Sequence, residues 1–215
     1  ILASTGKDRT IRFWSTETGR EIRRVDNLAG PGQSLAFSPD GEQLASTDFS
    51  TRKLSIWAVD SGARLLELED ENDTANWAWS CVFAPDGQSV AATSEGLRIW
   101  KLQPPQRGSG SDRWSSRLLS STTGAERDLA YDSKGKWLAY VGNWKGGDWA
   151  TYILNVRESP RPMLVTTNLW SPVQHHCFTP RSGQLAILAN DRALEFWDPE
   201  TRKMTRRIPT LPPGE

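Results

Sequence analysis

The run Leu35-Ala36-Phe37-Ser38-Pro39-Asp40-Gly41-Glu42-Gln43-Leu44-Ala45 returns as Cys81-Val82-Phe83-Ala84-Pro85-Asp86-Gly87-Gln88-Ser89-Val90-Ala91, with each apolar position and the Pro-Asp-Gly turn kept in step. A weaker copy runs from Leu129 to Ala139. A fourth, His176 to Ala186, changes its turn to Pro180-Arg181-Ser182-Gly183 but keeps Phe178 and Leu185 at the spacing of Phe37 and Leu44. A period in the low forties means stacked supersecondary units that bury their faces against one another, not one irregular core.

A second landmark closes each unit: Ile11-Arg12-Phe13-Trp14, Leu54-Ser55-Ile56-Trp57, Leu97-Arg98-Ile99-Trp100 and Leu194-Glu195-Phe196-Trp197. Alternation of apolar and polar residues up to an indole describes a half-buried strand. Trp14, Trp57 and Trp100 stand 43 residues apart, and the same step back from Trp197 lands on Leu154 in a degenerate copy. The longer interval before Leu154 is accounted for by a Pro-, Gly- and Ser-rich loop insertion, Gln103 to Asp112. Each unit then holds four short strands: an inner one ending at the Pro-Asp-Gly turn, a second such as Leu44 to Thr47, a third ending in Trp, and a fourth such as Arg64 to Leu68. Tight turns make neighbouring strands antiparallel.

These residues resemble the WD-repeat β-propeller family over almost the whole chain. Trp197-Asp198 is the family's name-giving dipeptide, with Trp14-Ser15, Trp57-Ala58 and Trp100-Lys101 in the other copies, and Asp8 and Asp191 match its turn aspartate. The family's Gly-His dipeptide is absent from every copy, which departs from its hydrogen-bond relay. The resemblance implies an all-β propeller: a partial blade over 1–28 and blades over about 33–70, 79–122, 127–168 and 174–210. Because members most often close with seven blades, the expectation is a piece of a longer propeller; a five-blade ring lacking one strand is the alternative. A piece with open sheet edges is expected to form oligomers or aggregates when isolated.

Charge and composition exclude several function classes. Twenty-six basic residues balance twenty-six acidic ones, so no overall field draws the chain to nucleic acid or anionic lipid. No apolar run approaches the roughly 18–20 residues of a membrane span. Cys81 and Cys177 form no disulfide framework and lack zinc spacing; both are expected as small core residues in a reducing, cytoplasmic compartment. Adjacent His175 and His176 would point to opposite faces of a strand and so do not ligate one metal readily. Asp40 and Asp86 are expected to bind their own turn backbone rather than calcium. Arg23-Arg24 and Arg206-Arg207 read as charged edge strands, with acids nearby. No Gly-x-Ser-x-Gly nucleophile turn is present. The expectation is no catalytic centre, no cofactor and no metal.

Tryptophan is the remaining signal, with eleven copies. Trp14, Trp57, Trp100 and Trp197 sit at the repeated position and are expected to pack between blades. Trp137, at the position of Gln43 and Ser89, is expected to be partly exposed. Trp77, Trp144, Trp149 and Trp170 fall in loops that the resemblance places on one rim: those joining fourth strands to the next blade and those joining second to third strands. With Asn76, Asn143, Lys145, Asp148 and Asn168 around them, they form the candidate partner site, because Trp centres with a polar rim mark binding hot spots. The implied function is a scaffold that binds protein or peptide partners on this rim; the alternative is an accessory or regulatory propeller of a larger enzyme, such as a hydrolase or signalling kinase.

Overall fold

A computed structural model describes residues 1–50, 53–68, 79–93, 96–103, 113–120, 127–143, 149–169, 175–189 and 193–209. Every regular element among them is a β-strand. The chain divides into two compact units, Ile1–Ser121 and Thr122–Glu215.

The first unit holds three sheets, each ordered as in sequence. Blade 1 is β1 (Leu2–Thr5), β2 (Ile11–Trp14) and β3 (Glu21–Val25); blade 2 is β4 (Gly32–Phe37), β5 (Gln43–Asp48), β6 (Leu54–Ala58) and β7 (Arg64–Leu68); blade 3 is β8 (Ser80–Phe83), β9 (Ser89–Thr93), β10 (Leu97–Gln103) and β11 (Arg113–Ser120). In the second unit, blade 4 comprises β12 (Arg127–Tyr131), β13 (Trp137–Asn143), β14 (Trp149–Asn155) and β15 (Ser159–Leu169), and blade 5 comprises β16 (His176–Phe178), β17 (Leu185–Leu188), β18 (Leu194–Asp198) and β19 (Lys203–Ile208). All pairings are antiparallel, as in propeller blades.

The strand register repeats with the sequence. Phe37 lies opposite Leu44 and Leu44 opposite Trp57; Phe83, Val90 and Trp100 repeat this, as do Phe178, Leu185 and Trp197. In blade 4 the set is Tyr131, Leu138 and Leu154, so Leu154, fully buried, occupies the indole's place. The turns repeat too. Gly41, Gly87, Gly135 and Gly183 take φ of 75, 69, 62 and 65°, a conformation that costs glycine nothing. The carboxylates face the backbone as expected: Asp40 Oδ1 accepts the Glu42 N–H and Asp86 Oδ1 the Gln88 N–H, both at 2.9 Å.

The indoles of blades 2, 3 and 5 pack with the blade before them. Trp57 joins Ile11 and Phe13 of blade 1, and Trp100 joins Ala45, Leu54 and Ile56 of blade 2. Trp197, half-buried, lies against a cluster of Trp137, Ala139, Ile153, Leu185 and Ile187. Trp14 is likewise half-buried. The indole N–H follows the neighbouring strand. Leu2-Ala3-Ser4-Thr5 and Leu44-Ala45-Ser46-Thr47 are identical, and Trp14 and Trp57 donate to Ser4 and Ser46 Oγ at 2.8 Å. Blade 3 has Ala92 there, and Trp100 Nε1 is buried without an acceptor.

Two expectations need correction. Trp137 is buried rather than partly exposed, because blade 5 covers the face that carries it. Cys177 is exposed and only Cys81 is buried. Cys81 stands two residues before its blade's Phe and Cys177 one residue before. That odd offset turns the side chain to the other face of the pleat. Both thiols are free, and burial pushes the Cys81 thiol up to about 12. Among the described residues no helix is long and apolar enough to cross a membrane.

Candidate functional site

In the first unit, the rim formed by second-to-third-strand loops and blade-to-blade connections carries an aromatic pair. Phe49 follows β5 and Trp79 precedes β8; their rings meet edge to face, with centroids 5.5 Å apart and planes at 81°. Phe49 is a large apolar side chain left 44% exposed, and Trp79 is half-buried. The loop is clamped from below. The Phe49 N–H donates to Pro31 O at 2.9 Å, Asp48 Oδ1 accepts the Ser50 N–H at 2.9 Å, and Gly30 lies so close that a Cβ there would stand 2.6 Å from Ser50 Cβ. An exposed ring on an ordered backbone buries area on binding with little entropy left to lose. Phe49 was within reach of sequence reasoning, since it is an aromatic in the same class of loop as Trp144; counting tryptophans alone passed over it.

In the second unit, Asn143 and Trp149 are not in a loop. Asn143 closes β13 and Trp149 opens β14, directly opposite each other, and Trp149 also faces Leu169 of β15. Asn168 lies within β15. The ladder runs to the end of the hairpin and absorbs residues that the polar, Gly-containing composition assigns to a loop. Asn143, Trp149 and Asn168 are thus at one end of the blade 4 sheet, with Trp149 half-buried. Asn76, Trp77, Trp144, Lys145, Asp148 and Trp170 lie outside the described residues.

The histidine pair meets a carboxylate of blade 4. The His176 side chain is 1% exposed and its Nδ1 lies 3.3 Å from Asp128 Oδ2; the exposed His175 has Nδ1 3.7 Å from Oδ1 of the same residue. Asp128 Oδ2 also accepts the His176 backbone N–H at 2.8 Å, and Asp128 holds φ at 52°. No group of three or more His, Cys, Asp or Glu able to hold a metal occurs among the described residues. Burial drives the His176 imidazole below its ordinary range, and the Asp128 charge works against that shift. A histidine with a depressed folded-state value contributes stability above the unfolded value, near pH 6.5, that is lost as pH falls toward the folded value. The melting temperature should therefore fall between pH 7 and 5, less steeply in His176→Gln. Asp8, Asp40 and Glu67 are held below the usual carboxylate range by their hydrogen bonds, so they titrate beneath that window. Equal slopes in the two proteins would remove His176 as the cause.

The four-stranded antiparallel sheets, each ordered as in sequence, are those of propeller blades, and loops between their strands carry aromatic residues. No known family profile matches the chain. It is 31% identical over 107 residues to WD repeat-containing protein slp1 of Schizosaccharomyces pombe, covering 47% of this chain and 22% of that protein. It is also 31% identical over 99 residues to cell division cycle 20.1, cofactor of APC complex, of Arabidopsis thaliana, covering 45% and 21%. With anaphase-promoting complex subunit cdh1 of Dictyostelium discoideum the identity is 33% over 125 residues, covering 56% and 16%. Over about half its length the chain is similar to WD-repeat proteins, and its sheets are those of propeller blades. The aligned part spans about a fifth of the length of these relatives.

Proposed function

We propose that this chain is the protein-binding part of a scaffold, engaging peptide or protein segments through aromatic residues on its loop-bearing rim. The observation that carries the reading is Phe49, exposed yet held edge-on against Trp79 by a hydrogen-bonded loop. No folding role requires the exposure of a large apolar ring, and aromatic side chains, Phe among them, are enriched at protein interfaces. Trp77, Trp144, Trp149 and Trp170, with Asn76, Asn143, Lys145, Asp148 and Asn168, extend the proposed partner-binding set. Relatives named as a cofactor and as a subunit of a multiprotein complex support an assembly role over an accessory domain of a hydrolase or kinase.

The test is selection of a displayed peptide library on the immobilised chain, followed by titration of the enriched peptides against variants. Phe49→Ala should weaken binding by about 2 kcal/mol, roughly thirtyfold, with the melting temperature nearly unchanged because the ring is half in solvent. Enriched peptides that bind Phe49→Ala as tightly as the parent would overturn the assignment of this rim.

A further inference from the structure

The outer strand of blade 5 differs from the other outer strands in what stands along its edge. β19 pairs with β18 on one side, and among the described residues no strand pairs with its other side. All six of its residues, Lys203-Met204-Thr205-Arg206-Arg207-Ile208, are exposed, and they include three cations, no carboxylate and no proline. In β3 and β7, the outer strands of blades 1 and 2, charges are met within the blade: Arg24 by Asp26 at 2.9 Å, Glu21 by Arg12 at 3.3 Å and Glu67 by Lys53 at 2.6 Å. β15 of blade 4 contains Pro160 and Pro162, which lack the N–H that an added strand would use. β19 therefore keeps every edge N–H and presents them beside positive charge.

The turn into β19 carries a further cation at a cost to the backbone. In the equivalent turns of blades 1 and 2, Gly19 and Gly62 donate to Ser15 O and Ala58 O with φ of 67 and 73°; in blade 5 the same bond runs from Arg202 to Asp198 O at 2.8 Å, with φ of 56°. That conformation strains arginine and not glycine, so the position holds a charged side chain where turn geometry alone favours none. Residues 194–208 hold four cations against three carboxylates, Glu195, Asp198 and Glu200, and a fifth cation, Lys136 of blade 4, pairs with Glu200 at 2.5 Å. Those carboxylates lie on β18 and in the turn, not on the edge strand. Arg207 lies 3.4 Å from Glu195 and Arg206 lies over the Phe196 ring, while Arg202 and Lys203 have no ion-pair partner among the described residues. A row of cations along an edge repels a second copy of that edge and selects an extended chain of opposite charge.

We infer that the outer edge of β19 takes an extended acidic segment of a partner protein as an added strand of blade 5, main chain to main chain, with Arg202 and Lys203 taking its carboxylates. The edge is separate from the aromatic rim and rests on different residues. The test is fluorescence anisotropy with the 215-residue chain and labelled peptides of equal length: alternating Glu and Val, alternating Thr and Val, and the acidic peptide N-methylated at several consecutive residues. The acidic peptide should bind, more weakly as salt rises. The uncharged and N-methylated peptides should each bind about tenfold more weakly or not at all, the first for want of charge and the second for want of N–H donors. The double variant Arg202→Gly, Lys203→Gln should weaken the acidic peptide about fivefold, the range for two exposed ion pairs. Its melting temperature should not fall, because glycine takes the turn without strain. Phe49→Ala should leave this binding untouched, which separates the edge from the rim. No binding of the acidic peptide, equal binding of the N-methylated or uncharged one, or indifference to the double variant would overturn the inference. So would equally tight binding of a single-stranded oligonucleotide of the same charge, since charge alone would then suffice.

Discussion

Replacing Trp57 by Ala should lower the unfolding free energy of the chain by about 4 kcal/mol, the range expected for emptying a buried aromatic site. The side chain is 7% exposed and packs with Ile11, Phe13 and Leu44, so its loss opens the seam between blades 1 and 2. Trp57→Phe should cost less, because it keeps most of the packing and loses the 2.8 Å bond to Ser46 Oγ. Ser46→Ala should cost about 1 kcal/mol or somewhat more, since it leaves the indole N–H buried and unpaired. The reverse change tests the same physics. Trp100 already has an orphaned Nε1 with Ala92 at the Ser46 position, so Ala92→Ser should stabilise by about 1 kcal/mol. Urea titration checks all four. A Trp57→Ala midpoint close to that of the parent would mean that the seam does not hold the two blades.

Gly32→Ala should cost about 3 kcal/mol, the upper part of the range for overpacking. A Cβ built there would stand 1.7 Å from Thr5 Oγ1 and 2.6 Å from its Cγ2, and also 2.7 Å from its Cβ. Thr5 has no free rotation to give, because its hydroxyl donates to Thr10 O at 2.8 Å, and the Gly32 N–H is itself bonded to Gly6 O at 3.0 Å. The backbone would have to separate β1 from β4. Gly41→Ala makes the control: nothing lies within 4 Å of its Cβ, but φ is +75°, so its cost of about 1 kcal/mol is conformational. Thr5→Ala should recover part of the Gly32→Ala loss and none of the Gly41→Ala loss. Additive effects of Thr5→Ala and Gly32→Ala would show that the two residues do not touch.

Much of the fold is determined by sequence alone, because a strand's faces follow a period of two and the blades recur at a spacing in the forties, 43 residues between Trp14, Trp57 and Trp100. Those two rhythms suffice to place Phe37, Leu44 and Trp57 across from one another, and to identify Leu154 as the stand-in for an indole. They say which residues share a face. They do not say whether that face is covered, which is why Trp137 reads as partly exposed until blade 5 is seen to lie over it. Contacts between blades were beyond sequence reasoning for the same reason. Phe49 meets Trp79 and Asp128 meets His176 through the stacking of neighbouring sheets, and no periodic signal within one strand encodes such meetings. The loop tryptophans were legible as an unusual set, but the extension of the β13–β14 ladder to Asn143 and Trp149 is decided by pairing energy that composition does not display.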